Sequence, residues 1–169
     1  PRGDASQADL EAQLAHALRV RNDVSKLTTL VNDLRSVKEQ LKARAKALEP
    51  RKTEPGVNEL LTASDDVIKK ADALEDKLHN PTAEVVYDIL AQKGGAKLYS
   101  RLAPLLDAAK TGDGAPTQGV RDEYARESRE LDADLAELDR LLGSDLAELN
   151  RTAAGLSLPA IAIPFGWRW

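Results

Sequence analysis

The chain has 169 residues and a formal charge of −4, with 42% hydrophobic and 31% charged residues. That balance is too apolar for a disordered chain and too charged for a membrane protein, and no apolar run approaches the roughly 20 residues of a spanning helix. Lysine, arginine and carboxylates are mixed throughout, so the basic stripe that nucleic-acid binding requires is missing. Without cysteine there are no thiolate metal sites, disulfides or thiol nucleophiles. Pro1 stands where an initiator methionine would, with no basic-then-apolar signal segment after it, and the chain reads as a processed product or an excised piece of something larger.

Leu and Ala are abundant while aromatic residues make up 4%, so the expected core is aliphatic, as in helix bundles. The first helix is expected from Ser6 to Leu48. Ser6 caps its free amides, and Asp9, three residues on, completes a capping box. A 3-4 spaced row follows: Leu10, Gln13, Ala17, Val20, Val24, Leu27, Val31, Leu34, Lys38, Leu41, Ala45, Leu48. Leu14, Leu18, Leu30 and Val37 widen it, as on a helix packed against two neighbours. Lys38, the charged member, is expected at the stripe's edge with its stem on apolar surface and its ammonium in water. Pro50 ends the helix, and Arg51 to Gly56 form a turn.

A second helix starts at or just after Thr53, with Pro55 in its first turn, and stops at His79 before Asn80-Pro81. So short a connection predicts an antiparallel return. Residues 82–93 are ambiguous between a short helix and an extended course through Val85 to Tyr87, and Gly94-Gly95 interrupts either. A short helix from Ala96 to Lys110 follows, with Pro104 kinking or splitting it. Thr117 caps a last long helix whose row runs Val120, Tyr124, Leu131, Leu135, Leu138, Leu142, Leu146, Leu149, Ala153 and ends at Gly155. The step from Leu142 to Leu146 is a stutter. The fold class is therefore all-α: an antiparallel bundle of three long helices plus one short helix, spanning 6–155. Residues 1–5 are a linker from a preceding domain, and 156–169 are an extended tail. Leu27, Val31, Leu34, Leu61, Ile68, Leu135, Leu138 and Leu142 are the expected core.

The chain offers no recognisable catalytic, cofactor-binding or metal-binding set. Its two histidines, His16 and His79, read as solvated surface residues without the Glu-x-x-His pairing of bundle metal sites. Carboxylates such as Asp132, Asp134, Glu137 and Asp139 read as solvated helix faces; glycosidase chemistry needs two of them held across a cleft, roughly 5 to 9 Å apart. Gly94-Gly95-Ala96-Lys97 lacks P-loop spacing.

Several stretches carry a resemblance. Pro1-Arg2, Gln13 to Leu41, Gly95 to Leu106 (GAKLYSRLAPLL), the loop residues Asp113, Pro116 and Thr117, Asp145 to Asn150 (DLAELN) and Leu158-Pro159-Ala160-Ile161 follow one another as in a known helical region. Together they resemble the C-terminal helical region of large bacterial proteins built on a sortilin-like, BNR-repeat β-propeller, often labelled glycosyl hydrolase or exo-sialidase-like. The resemblance implies a periplasmic or extracellular location and a parent propeller as partner. Any activity that the label implies belongs to the propeller, which leaves the helical region at most an accessory subdomain of a glycoside-hydrolase-like enzyme.

From Ile161 the large side chains fall on alternate residues, Ile161, Ile163, Phe165, Trp167 and Trp169, the period of an extended strand with one apolar face. Pro159 and Pro164 also forbid a regular helix there. These five are the candidate partner-binding residues, since aromatic side chains make strong anchors when buried against another protein. The other courses open to the tail are folding back over the bundle's own end and disorder. The expected function is a non-catalytic structural or protein-interaction domain, with a protein partner or its parent propeller rather than a nucleic acid, a membrane or a small-molecule ligand.

Overall fold

The computed structural model describes residues 5–82, 94–112 and 114–163. The ambiguous stretch 83–93 lies outside them, as do Asp113 and the tail residues Phe165, Trp167 and Trp169. Among the described residues every regular element is helical. Helix α1 spans Gln7–Leu48, and its 42 residues make it about 63 Å long at 1.5 Å per residue. A 3₁₀ turn at Glu49–Arg51 follows, then α2 (Val57–Leu78), α3 (Leu98–Thr111) and α4 (Gln118–Arg140). A π turn, Leu141–Asp145, joins α4 directly to α5 (Leu146–Gly155). Three long helical runs and one short helix result, as the periodicity predicts.

The caps explain the boundaries. Ser6 and Asp9 form the reciprocal box: the Ser6 backbone N–H donates to Asp9 Oδ2 (3.0 Å), and the Asp9 N–H donates to Ser6 Oγ (3.2 Å). The Val120 N–H donates to Thr117 Oγ1 (3.3 Å) at the start of α4. Helix α2 begins later than expected, because Gly56 adopts a φ of +80° and sends the chain into the helix only at Val57. Pro104 does not split α3. The helix runs through it, losing one backbone hydrogen bond while Leu98, Leu102 and Ala109 stay buried around it. At the end of α5 the Leu158 and Ser157 amides return to the carbonyls of Ala153 and Ala154 (both 3.0 Å), a Schellman motif whose left-handed residue is Ser157 at φ +57°.

The chain forms two compact units. The first draws on Pro1–Thr28 and Lys77–Ala133, the second on Thr29–Asp76 and Asp134–Trp169. In the second, α1 and α2 are antiparallel: Arg35 and Lys38 meet Glu75, while Arg44, further along α1, meets Ser64, earlier on α2. In the first, α3 runs against α1 and α4, with Arg101 on Glu130 near one end and the Gly112 carbonyl on Gln13 near the other.

The core row of α1 differs from the expected one. Its buried positions are His16, Val20, Asp23, Leu27, Leu30, Leu34, Val37, Leu41, Arg44 and Leu48, with Val31 and Asp33 beside them. Four members of the expected row are thus displaced by one residue: Ala17 by His16, Val24 by Asp23, Lys38 by Val37 and Ala45 by Arg44. A strict four-three alternation holds from end to end, which is the repeat of a helix packed along a seam. Leu10, Leu14 and Leu18 lie off that row and are 51%, 60% and 38% exposed. The same effect corrects α2 and α4. Their buried rows run through Val57, Leu60, Ser64, Val67, Ala71, Leu74 and Leu78, and through Glu127, Leu131, Asp134 and Leu138. Leu61, Ile68 and Leu135, one residue aside, are only half-buried. The π turn absorbs the stutter. The Leu146 N–H reaches back five residues to the Leu141 carbonyl, so that Leu141 and Leu142 both enter the core before Leu146, Leu149 and Ala153 continue the row.

Candidate functional site

The tail leaves α5 through Leu158 and is held by two side-chain amides. The Ile161 N–H donates to Asn150 Oδ1 (2.8 Å), and its carbonyl accepts from Asn150 Nδ2 (3.0 Å). One residue on, the Ala162 N–H donates to Gln40 Oε1 (2.9 Å) and its carbonyl accepts from Gln40 Nε2 (2.7 Å). In an extended chain successive residues present their N–H and C=O to opposite sides. The segment therefore passes between Asn150 on α5 and Gln40 on α1, each amide standing in for a neighbouring strand. Ile161 is 8% exposed and belongs to the second unit's own core, whereas Ile163 is half-buried. Phe165, Trp167 and Trp169 lie outside the described residues.

Lys38 departs from expectation. Its side chain is 12% exposed, and its ammonium donates to Asp72 Oδ1 (2.6 Å) and to Glu75 Oε2. Arg35 Nε holds the other oxygen of Glu75 at 2.7 Å. Burial works against the charge on Glu75, but Lys38 and Arg35 outweigh it and keep the carboxyl below its usual range. Burial likewise opposes the Lys38 charge, and Asp72 and Glu75 reverse that, raising its pKa. The physical reason is the row shift: Val37 takes the core position, and Lys38 turns along the seam towards carboxylates one turn apart on α2. These donors and acceptors satisfy one another, which suits a staple between two helices.

Polar groups also sit on the core rows themselves. Arg44 donates through Nη2 to Ser64 Oγ (3.3 Å), its Nε and Nη1 are buried without a partner, and burial lowers its pKa. In the first unit the Glu127 side chain is fully enclosed, with Arg101 Nε at 3.3 Å and Arg126 at 3.0 Å. Asp23 Oδ2 accepts from Tyr124 Oη (2.8 Å) and Ser128 Oγ (3.2 Å). Burial and then Asp23 push the Tyr124 phenol up to about 12, so it remains a donor at neutral pH. His16 is not a surface residue: it is 2% exposed, edge-on to the Tyr124 ring at 5.1 Å, and its Nε2 is buried without a partner. Burial, then Arg19 and Arg121, depress its pKa. Choosing the most apolar residue at each turn hides these groups. Leu30 and Val37 belong to their row, and following that row by spacing alone reaches His16, Asp23 and Arg44.

Among the described residues no group of three or more His, Asp or Glu is placed to hold a metal ion, and no helix is long and apolar enough to cross a membrane. No family model, curated protein or solved structure matches the chain.

Proposed function

We propose that the chain is a non-catalytic helical domain that docks a protein partner, a parent β-propeller in the reading drawn from the resemblance, through the segment beginning at Ile163. The observation that carries this is the double amide clamp on Ile161 and Ala162. It fixes the course of the chain at Ile161 and Ala162, so part of the ordering cost of binding is met before a partner arrives. The apolar two-residue period then continues through Ile163, Phe165, Trp167 and Trp169 beyond the clamp. Asn150 and Ile161 come from the two stretches, DLAELN and LPAI, that resemble the end of the propeller-associated helical region. Under this reading the domain works outside the cytoplasm, beside the propeller.

The test is deletion of residues 164–169, which spares both clamps. Helicity by circular dichroism is expected to stay unchanged, while the partner captured from native extract by the intact chain is no longer retained. Equal capture by both forms contradicts the proposal. Loss of helicity on deletion shows instead that the tail is part of the domain's own core.

A further inference from the structure

The first unit contains an open hollow of about 400 Å³ lined by His16 and Arg19 from α1 and by Arg121, Tyr124, Ser128 and Arg129 from α4. Their spacing explains the convergence. His16 and Arg19 are three apart, and the α4 residues fall at successive helical turns, so each set shares one helix face. We propose that this hollow binds a phosphate-type oxyanion, as free phosphate or as a phosphomonoester on a peptide. It lies in the other unit from the tail, and neither proposal depends on the other.

The charge balance carries the inference. Two other arginines of the unit are paired with carboxylates: Arg101 with Glu127 and Glu130, and Arg126 with Glu123 and Glu127. The guanidinium groups of the hollow are different. Arg19 and Arg129 have no ion-pair partner among the described residues, and Arg121 is steadied by two neutral acceptors, the Pro116 carbonyl and Gln118 Oε1. Asp23, which bonds the lining residues Tyr124 and Ser128 through their hydroxyls, is also held by Lys26 at 3.5 Å. The lining itself holds three guanidinium groups and no carboxylate, an excess of positive charge that suits a dianion. The mutual repulsion of the three guanidinium groups is relieved when an anion enters.

His16 supplies a second, independent observation. It lines the hollow while its Nε2 is enclosed without a partner, and the charges of Arg19 and Arg121 work against its proton, an opposition that an anion held in the hollow would offset. Geometry favours phosphate over carboxylate. One guanidinium fork satisfies both oxygens of a carboxylate, whereas three forks match the several oxygens of a tetrahedral anion.

The two histidines make the test direct, because His16 reports on the hollow while His79, tilted against Tyr99 at 5.8 Å, serves as an internal control. The full chain is titrated with inorganic phosphate at constant ionic strength while the imidazole carbon-bound protons are followed by NMR. The His16 signals are expected to move saturably, with a Kd on the order of 1 mM or tighter, while His79 stays still. The double variant Arg19→Gln, Arg129→Gln, at exposed positions, is expected to keep its helicity and weaken binding at least about tenfold. A phosphoserine peptide that binds more tightly than inorganic phosphate identifies the ester as the source, and the reverse order identifies the free anion. The proposal is overturned if His16 and His79 drift together without saturation, if acetate matches phosphate, or if the double variant binds like the parent.

Discussion

The two halves of α1 follow one spacing with different residues. From Leu30 to Leu48 the buried row reads Leu30, Leu34, Val37, Leu41, Arg44, Leu48, with Val31 and Asp33 beside it, so aliphatic packing dominates. From Gln7 to Leu27 the same row holds His16, Val20, Asp23 and Leu27, while Leu10, Leu14 and Leu18 stay exposed. The C-terminal half thus commits its apolar side chains to the core. The N-terminal half leaves them in water and gives core positions to an imidazole and a carboxylate. Burial of apolar area is the main favourable term in folding, and a buried polar group contributes little beyond offsetting its own desolvation. The lesson is that a continuous helix can carry unequal local stability: both halves bury two polar side chains, His16 and Asp23 in one and Asp33 and Arg44 in the other, but only the C-terminal half surrounds them with a full set of buried aliphatic residues.

The largest effect that can break this comparison is at Leu34. Leu34→Ala is expected to cost about 2 to 5 kcal/mol, because the side chain is fully buried in the second unit. Leu14→Ala, at a 60% exposed position, is expected to stay within about 0.5 kcal/mol. Urea denaturation of both variants measures the contrast, and similar losses would abolish it.

A smaller effect sharpens it. Glu75→Gln leaves the buried end of the Lys38 ammonium and Arg35 without their shared carboxylate, at an expected cost of about 1 to 3 kcal/mol at pH 7. The folded-state pKa of Glu75 lies below its unfolded value, so its stabilisation is complete above about pH 4.3 and is lost as pH falls through the depressed folded value. Lys38 has the opposite sign. Its pKa is raised, so its contribution is complete below about pH 10.4 and is lost as pH rises through the folded value. The parent and Glu75→Gln stability curves, measured from pH 7 downward, are therefore expected to converge in acid.

The all-helical class, the four-part element order and most boundaries were legible because they depend on local chemistry: the Ser6–Asp9 box, Pro50 after Leu48, Asn80-Pro81 after Leu78 and the Thr117 cap. The core row was less legible. At Ala17/His16, Val24/Asp23 and Ala45/Arg44 the apolar neighbour looks like the core residue, yet packing along the seam selects by spacing and buries the polar one. The Lys38 network escaped for the same reason, since its partners Asp72 and Glu75 are on another helix and only tertiary structure brings them within reach. That the chain from Leu158 to Ile163 is not helical was readable from Pro159. The clamp was not, because Gln40 is 122 residues from Ala162 in sequence.

Amide hydrogen exchange resolved along α1 tests the inequality of its two halves most directly. Amides from Leu30 to Leu41 are expected to exchange at least about tenfold more slowly than those from Leu10 to Leu18, a gap of roughly 1.4 kcal/mol in local opening. Equal protection along the whole of α1 would contradict it, showing that the polar row at His16 and Asp23 is as firmly packed as the aliphatic row beyond Thr29.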